Sequence, residues 1–238
     1  MTQNLDVQEL SLVIAVERQD PSLLTPDFLR YSGIIPQEWE LSRQPVRSQQ
    51  AAQVIYQNGV SILAYPDRTI FVEPISDKAE ATVEIPHIAE RYSEILRNLN
   101  FQAVGTNFRG HVLFPGSEDS AHQYLCNTLL SSGAWQTIGT APMRAGLNLI
   151  YTFERNVMNL SIQEAMIQLP EQERVPIVLF TANFETPLQP QIDTERLTGL
   201  QQALQGWQAD LATYRQTVEK LVEQNQSQYL ISMPAMPV

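Results

Sequence analysis

The sequence predicts an α+β fold, an antiparallel sheet with helices packed on one face, and three observations predict it. First, Asn58-Gly59 and Pro66-Asp67 join three segments rich in β-branched residues, 46–56, 60–65 and 69–75; Asn-Gly between such segments is a strong signal for a tight hairpin. Second, a later set of strand-like segments, 145–153, 157–168 and 175–184, is joined by Glu154-Arg155-Asn156 and by the charged turn 170–174. Third, an apolar seam runs through the last long stretch: Leu197, Leu200, Leu204, Trp207, Leu211, Tyr214, Val218 and Leu221 follow at alternating steps of three and four, the signature of one helical face. Runs of hairpin-linked strands followed by helices indicate an antiparallel sheet rather than a parallel one.

Taken in order, 10–16 is an apolar, β-branched strand ended by Asp20-Pro21. Thr25-Pro26-Asp27 then supplies a helix cap, a proline at the first helical position and an acidic first turn. Gly33 stops that short helix, and the apolar but irregular segment 34–39, ending in Trp39, reads as a loop packed on the core. After the first meander, 86–99 is amphipathic, with Ile88, Tyr92, Ile95, Leu96 and Leu99 on one side. A strand over 101–114 follows. Ser117 caps a second helix with Glu118 and Asp119 in its first turn, where the helix dipole favours negative charge. Three strands and a helix thus occur twice, over 46–99 and 145–224, without a residue-level repeat.

Pro187, Pro190 and the potential cap Asp193 start the last helix. Continued to Gln224, it would span roughly 46 Å at 1.5 Å per residue, enough to cross a single compact domain. The positions beside the seam offer little charge pairing, and Trp207 and Tyr214 are bulky for a two-stranded coiled coil. Packing on the chain's own sheet is therefore the expectation, with a homodimer through this helix as the alternative. Gly199 and Gly206 sit seven apart on one face, marking either exposed positions or a close approach of another backbone. The domain expectation is one α+β unit over 1–228, with possible halves 1–116 and 117–228, followed by a tail over 229–238. That tail carries no charged side chain and two prolines; its first part, 229–232, is expected to lie extended on the body.

A chain of 238 residues, 43% hydrophobic and 17% charged, has the composition of a folded globular protein. No run of 18 apolar residues occurs and Met1–Leu12 lacks a basic region followed by an apolar core, so neither a membrane span nor a signal peptide is expected and the cytoplasm is the default compartment. The net charge of −11, with Lys78 and Lys220 the only lysines, gives no basic footprint for phosphate neutralisation and excludes nucleic acid as an expected partner. Cys126, the single cysteine, excludes an internal disulfide or a thiolate cluster within one chain.

The run Pro26-Asp27-Phe28-Leu29-Arg30-Tyr31-Ser32-Gly33-Ile34-Ile35-Pro36, then Trp39-Glu40-Leu41, together with Asn107-Phe108-Arg109-Gly110-His111, resembles a family of uncharacterised (hypothetical) proteins of cyanobacteria. The resemblance extends over most of the chain and agrees with its glutamine-rich, lysine-poor composition. It implies no activity, and no functional residue is carried over from it.

For chemistry, the best polar set lies on the strand from Phe101. Alternation places Asn107, Arg109 and His111 on one face, where an amide, a guanidinium and an imidazole could bind a carboxylate or phosphate; the plainer account is the solvent face of an antiparallel sheet. His122 and Cys126 are four apart on a helix, a spacing that can hold two metal ligands, but no spacing supplies a third, so neither metal nor cofactor is expected. Glu38 and Glu40 flank Trp39 and read as solvated carboxylates rather than a catalytic pair. No phosphate loop, nucleophile elbow or zinc-protease helix is present. The expectation is a non-enzymatic protein-interaction or assembly module with a protein partner, with Trp39, Trp207 and Tyr214 as its candidate interaction residues. The alternative is a small-ligand binder or enzyme using Asn107, Arg109 and His111.

Overall fold

The computed structural model describes residues 4–140, 143–169, 174–188 and 193–231, with side chains of the last helix from Glu195 to Glu223. Nine strands form one antiparallel sheet: β1 (Asp6–Val16), β2 (Val46–Arg47), β3 (Ala52–Ile55), β4 (Ser61–Tyr65), β5 (Arg68–Pro74), β6 (Phe101–Leu113), β7 (Gly146–Thr152), β8 (Val157–Gln168) and β9 (Arg174–Pro187). Their spatial order is β2-β3-β4-β5-β1-β6-β9-β8-β7. The first strand therefore lies in the middle, pairing with β5 on one side and with β6 on the other. The helices are α1 (Pro26–Tyr31), α2 (Ile85–Ile95), a short α3 (Ser120–Gln123) that widens into a π-helical turn over Tyr124–Leu129, α4 (Asp193–Gln205) and α5 (Trp207–Ile231). No helix among the described residues is long and apolar enough to cross a membrane. The α+β class read from the sequence is the class observed.

The order of elements shows a repeat in topology. A lead strand and a short helix precede a three-strand meander and a closing helix: β1, α1, β3 to β5 and α2, then β6, α3, β7 to β9 and α4/α5. Each lead strand pairs with the last strand of its own meander, and the two lead strands pair with each other. The boundary between 1–116 and 117–228 falls between β6 and β9, which are paired from Ala103↔Pro187 to Leu113↔Ile177, so the sheet runs through it without a gap.

One face of the sheet is covered. Leu10, Leu12 and Ile14 of β1, Phe108 of β6, Phe180 and Phe184 of β9 and Met158 and Leu160 of β8 are buried there. Leu200, Leu204, Trp207, Leu211, Tyr214 and Val218 of α4 and α5 are buried in the same core. Tyr214 stacks on Phe108 with ring centroids 5.5 Å apart and donates its hydroxyl to the Phe180 carbonyl at 2.9 Å. Each buried side chain contributes about 1.5–3 kcal/mol, which outweighs roughly 1 kcal/mol for each helical glycine. From Leu200 to Val218 the seam is thus packed on the chain's own sheet, the arrangement expected of it, and those side chains are not available to a second copy.

Four expectations are corrected. The segment 46–56 is not one strand, because Ser48 forms a turn in which its N–H donates to the Ala51 carbonyl at 2.8 Å, splitting β2 from β3. Ser117 does not cap α3; its carbonyl accepts from Ser120 N–H at 3.0 Å and the helix begins after Asp119. The last helix is interrupted for one residue at Gly206. A Cβ there would lie 2.5 Å from Arg155 Nη1, and the Gly206 carbonyl accepts from Arg155 at 3.1 Å as well as from Asp210 N–H at 3.2 Å. Among the described residues Gly199 has only Leu188 nearby, at 3.9 Å, and the close approach at Gly206 is made by a side chain. Finally, α5 continues through Tyr229 to Ile231 where an extended tail was expected; 232–238 lies outside the described residues, as do the turn 170–173 and the Asp193 side-chain cap.

Candidate functional site

The most site-like geometry is built around Trp39. Thr25 caps α1 by accepting from Phe28 N–H at 3.0 Å, and Gly33, at φ +68°, turns the chain out of the helix in a conformation glycine adopts without strain. Ile34 and Ile35 are buried and pin the loop to the core. Its far end is held by Arg30, which donates to the Trp39 carbonyl at 2.8 Å, and by the Leu41↔Tyr56 bridge. The Trp39 ring, half-buried, meets the Tyr56 ring edge-on at 5.2 Å.

Helix α2 forms the opposite wall, and a buried carboxylate fixes its start. Glu73 Oε2 accepts from the N–H groups of Glu84 and Ile85 at 2.8 and 2.9 Å, while Lys78 Nζ lies 2.6 Å from Oε1. An anion at a helix N-terminus satisfies orphan donors and the dipole together. Glu84, His87 and Arg91 then stand along one side of the helix.

Between loop and helix lies a cleft of about 470 Å³ lined by Ile34, Ile35, Pro36, Trp39, Ile88 and the polar trio Glu84, His87 and Arg91, with Gly33 at one end. On the other side of Trp39 is a second cleft of about 250 Å³ lined by Glu38, Trp39, Glu40, Tyr56, Gln57 and Asn58. Burial holds the Glu84 carboxyl above its ordinary value, Glu73 raises it further, and Glu38 adds to that against the pull of Lys78. Tyr56 is 1% exposed; its hydroxyl and Arg30 Nε are buried without a hydrogen-bond partner, and burial pushes the phenol up to about 12 against the nearby Arg30 charge. The region therefore combines an apolar floor, an aromatic ring between two hollows and several carboxylates. The chain matches no protein-family model and no curated protein.

The polar row expected on β6 does not converge. Asn107 accepts from Asn183 at 2.6 Å and donates to the Ser11 carbonyl at 3.3 Å, which uses it as a rung across the uncovered face of the sheet. Arg109 is exposed. His111 is buried with Nδ1 unpartnered, and Asp6 Oδ2 is 3.9 Å away, beyond hydrogen-bond distance. None of the three lines either cleft. Trp207 and Tyr214 are core residues, so of the three expected interaction residues only Trp39 has a face toward a cavity.

His122 and Cys126 acquire a third neighbour that spacing could not supply. His122 Nδ1 lies 3.1 Å from Glu164 Oε2, and Cys126 Sγ lies 3.6 Å from Nε2 and 3.8 Å from Nδ1. A sulfur nearly equidistant from both ring nitrogens sits over the ring face, not along the lone pair of the base that would activate it. Burial, then Glu164, holds the thiol above its ordinary value, the opposite of a reactive cysteine. Among the described residues no group of three or more His, Cys, Asp or Glu side chains could hold a metal ion.

The sequence showed Trp39 between two glutamates but not the rest of this site. Tyr56 follows directly on β3, and Glu84, His87 and Arg91 stand at the start and along the polar side of α2. Their spacing of three and four along α2 was the signal available.

Proposed function

We propose that this chain is a non-enzymatic protein-interaction module that receives an exposed segment of a partner at Trp39, an apolar side chain filling the larger cleft and a basic side chain the smaller. One observation carries the reading: the two clefts share Trp39 in their linings, and the smaller is bordered by Glu38 and Glu40 with Glu84 close by. A cation over an indole face gains from the ring quadrupole. A carboxyl raised by burial and then by neighbouring carboxyls, as Glu84 is, is one whose ionised form an incoming cation favours. An aromatic residue in a pocket ringed by polar groups is the usual anatomy of an interaction hot spot.

The test is selection of peptides from a random display library on the immobilised chain. Enriched sequences are expected to pair an apolar residue with Lys or Arg. Their affinity should fall at least about 10-fold in Trp39→Ala, the loss of one hot-spot contact, and about 2- to 5-fold in Glu38→Gln, where an exposed charge is removed. Enrichment of acidic peptides, or binding undiminished by Trp39→Ala, defeats the proposal.

A further inference from the structure

The two edges of the sheet are built differently. One edge, β2, is two residues long, follows Pro45 and includes Arg47, with Arg43 close by. Shortness, proline and charge are the devices by which edge strands avoid pairing with another chain. The other edge, β7, is Gly-Leu-Asn-Leu-Ile-Tyr-Thr, seven residues without a charge or a proline, and its Ile150 is 71% exposed. Among the described residues it is paired with β8 alone. Nothing in its sequence protects it.

Its free hydrogen-bonding groups can be assigned. Phe153 N–H donates to the Asn156 carbonyl at 2.9 Å, closing the turn to β8. Peptide groups alternate in direction along an antiparallel ladder, so those of Leu147, Leu149 and Tyr151 address β8. Those of Gly146, Asn148, Ile150 and Thr152 address the open edge.

We propose that β7 pairs antiparallel with β7 of a second copy of this chain, about a two-fold axis at Leu149. In that register Asn148 opposes the second copy's Ile150, and both present outward-facing peptide groups. Leu149 opposes itself and Leu147 opposes Tyr151, all on the covered side, where they already pack half-buried at the margin of the core. Their rows would continue across the axis, joining the two cores. The flanks agree in charge: exposed Arg144, five residues before Leu149, is carried toward the second copy's exposed Glu154, five residues after it, and the symmetry makes this pairing twice. A chain of net charge −11 repels its copies at long range, so an uncharged strand flanked by opposite charges is the kind of surface on which they can meet. The assembly closes at two because the pairing is isologous and the β2 edge is blunted. This proposal is independent of the Trp39 reading.

The experiment is sedimentation of the full chain between about 1 and 100 µM. The expected result is a concentration-dependent species of twice the 26.9 kDa chain mass, converted to monomer by Ile150→Lys, whose melting temperature matches that of wild type at the dilute, monomeric end of the range. The register is read by oxidation: Leu149→Cys, directly opposite itself, is expected to cross-link into a disulfide dimer, whereas Ile150→Cys, more exposed but offset across the axis, is expected to cross-link at least 10-fold more slowly. The native Cys126 is buried and gives the baseline. A wild-type chain that stays monomeric at the highest concentration overturns the proposal. So does a dimer that survives Ile150→Lys, or faster cross-linking of Ile150→Cys than of Leu149→Cys.

Discussion

Asp210 shows how a single residue joins the two helices to the hairpin beside them. It is buried on α5 and accepts from Arg155 and, at 2.8 Å, from Asn156, so the β7–β8 turn is tied to the helix one turn beyond Gly206. Burial holds its carboxyl above the ordinary value, only partly offset by Asn156, Arg155 and Thr106. A raised folded-state pKa means that the group's contribution to stability is complete below the unfolded value, about 3.9, and is lost as pH rises through the folded value. The stability margin of wild type over Asp210→Asn, which does not titrate, is therefore expected to be larger at about pH 4 than at about pH 7. Denaturant melts of both proteins at the two pH values check this, and a margin that grows with pH would show that Arg155 dominates the site instead. Little of this pairing was legible beforehand, because the partners of Asp210 lie more than fifty residues earlier and only the folded chain brings them together.

Among the elements, the last helices were the most legible because their pattern is local. A step of three and four needs no knowledge of what it packs on, and every seam residue from Leu200 to Val218 is buried. Leu204→Ala and Leu211→Ala should each cost about 2–5 kcal/mol, measured by chemical denaturation; an unchanged midpoint for either would place that side chain outside the core. The interruption at Gly206 was not legible, since it depends on Arg155 arriving from the hairpin. Strand ends were likewise set by contacts that spacing does not encode, as where the Ser48 turn divides β2 from β3. At the candidate site the same division holds: the loop carrying Trp39 was visible as an apolar, irregular stretch, while the α2 wall depends on Glu73 capping that helix from β5.

At the scale of the whole molecule, the repeated order of lead strand, helix, meander and helix places the β1–β6 ladder at the centre of the sheet. Fragments 1–98 and 99–238, each holding one complete unit, are expected to associate when coexpressed and to copurify from a tag on either one. The cut falls at exposed Asn98 in the turn between α2 and β6. Failure to copurify while each fragment is separately soluble would show that the central ladder does not hold the halves together. The same ladder sets a schedule for synthesis. Ser11 is paired with Asn107, 96 residues later in the chain, and translation at about 5–20 residues per second leaves the first strand without its second neighbour for roughly 5–20 seconds. During that interval its apolar residues Leu10, Leu12 and Ile14 sit on a strand with one open side, so the newly emerging first half is the stage at which a holding chaperone would have most to shield.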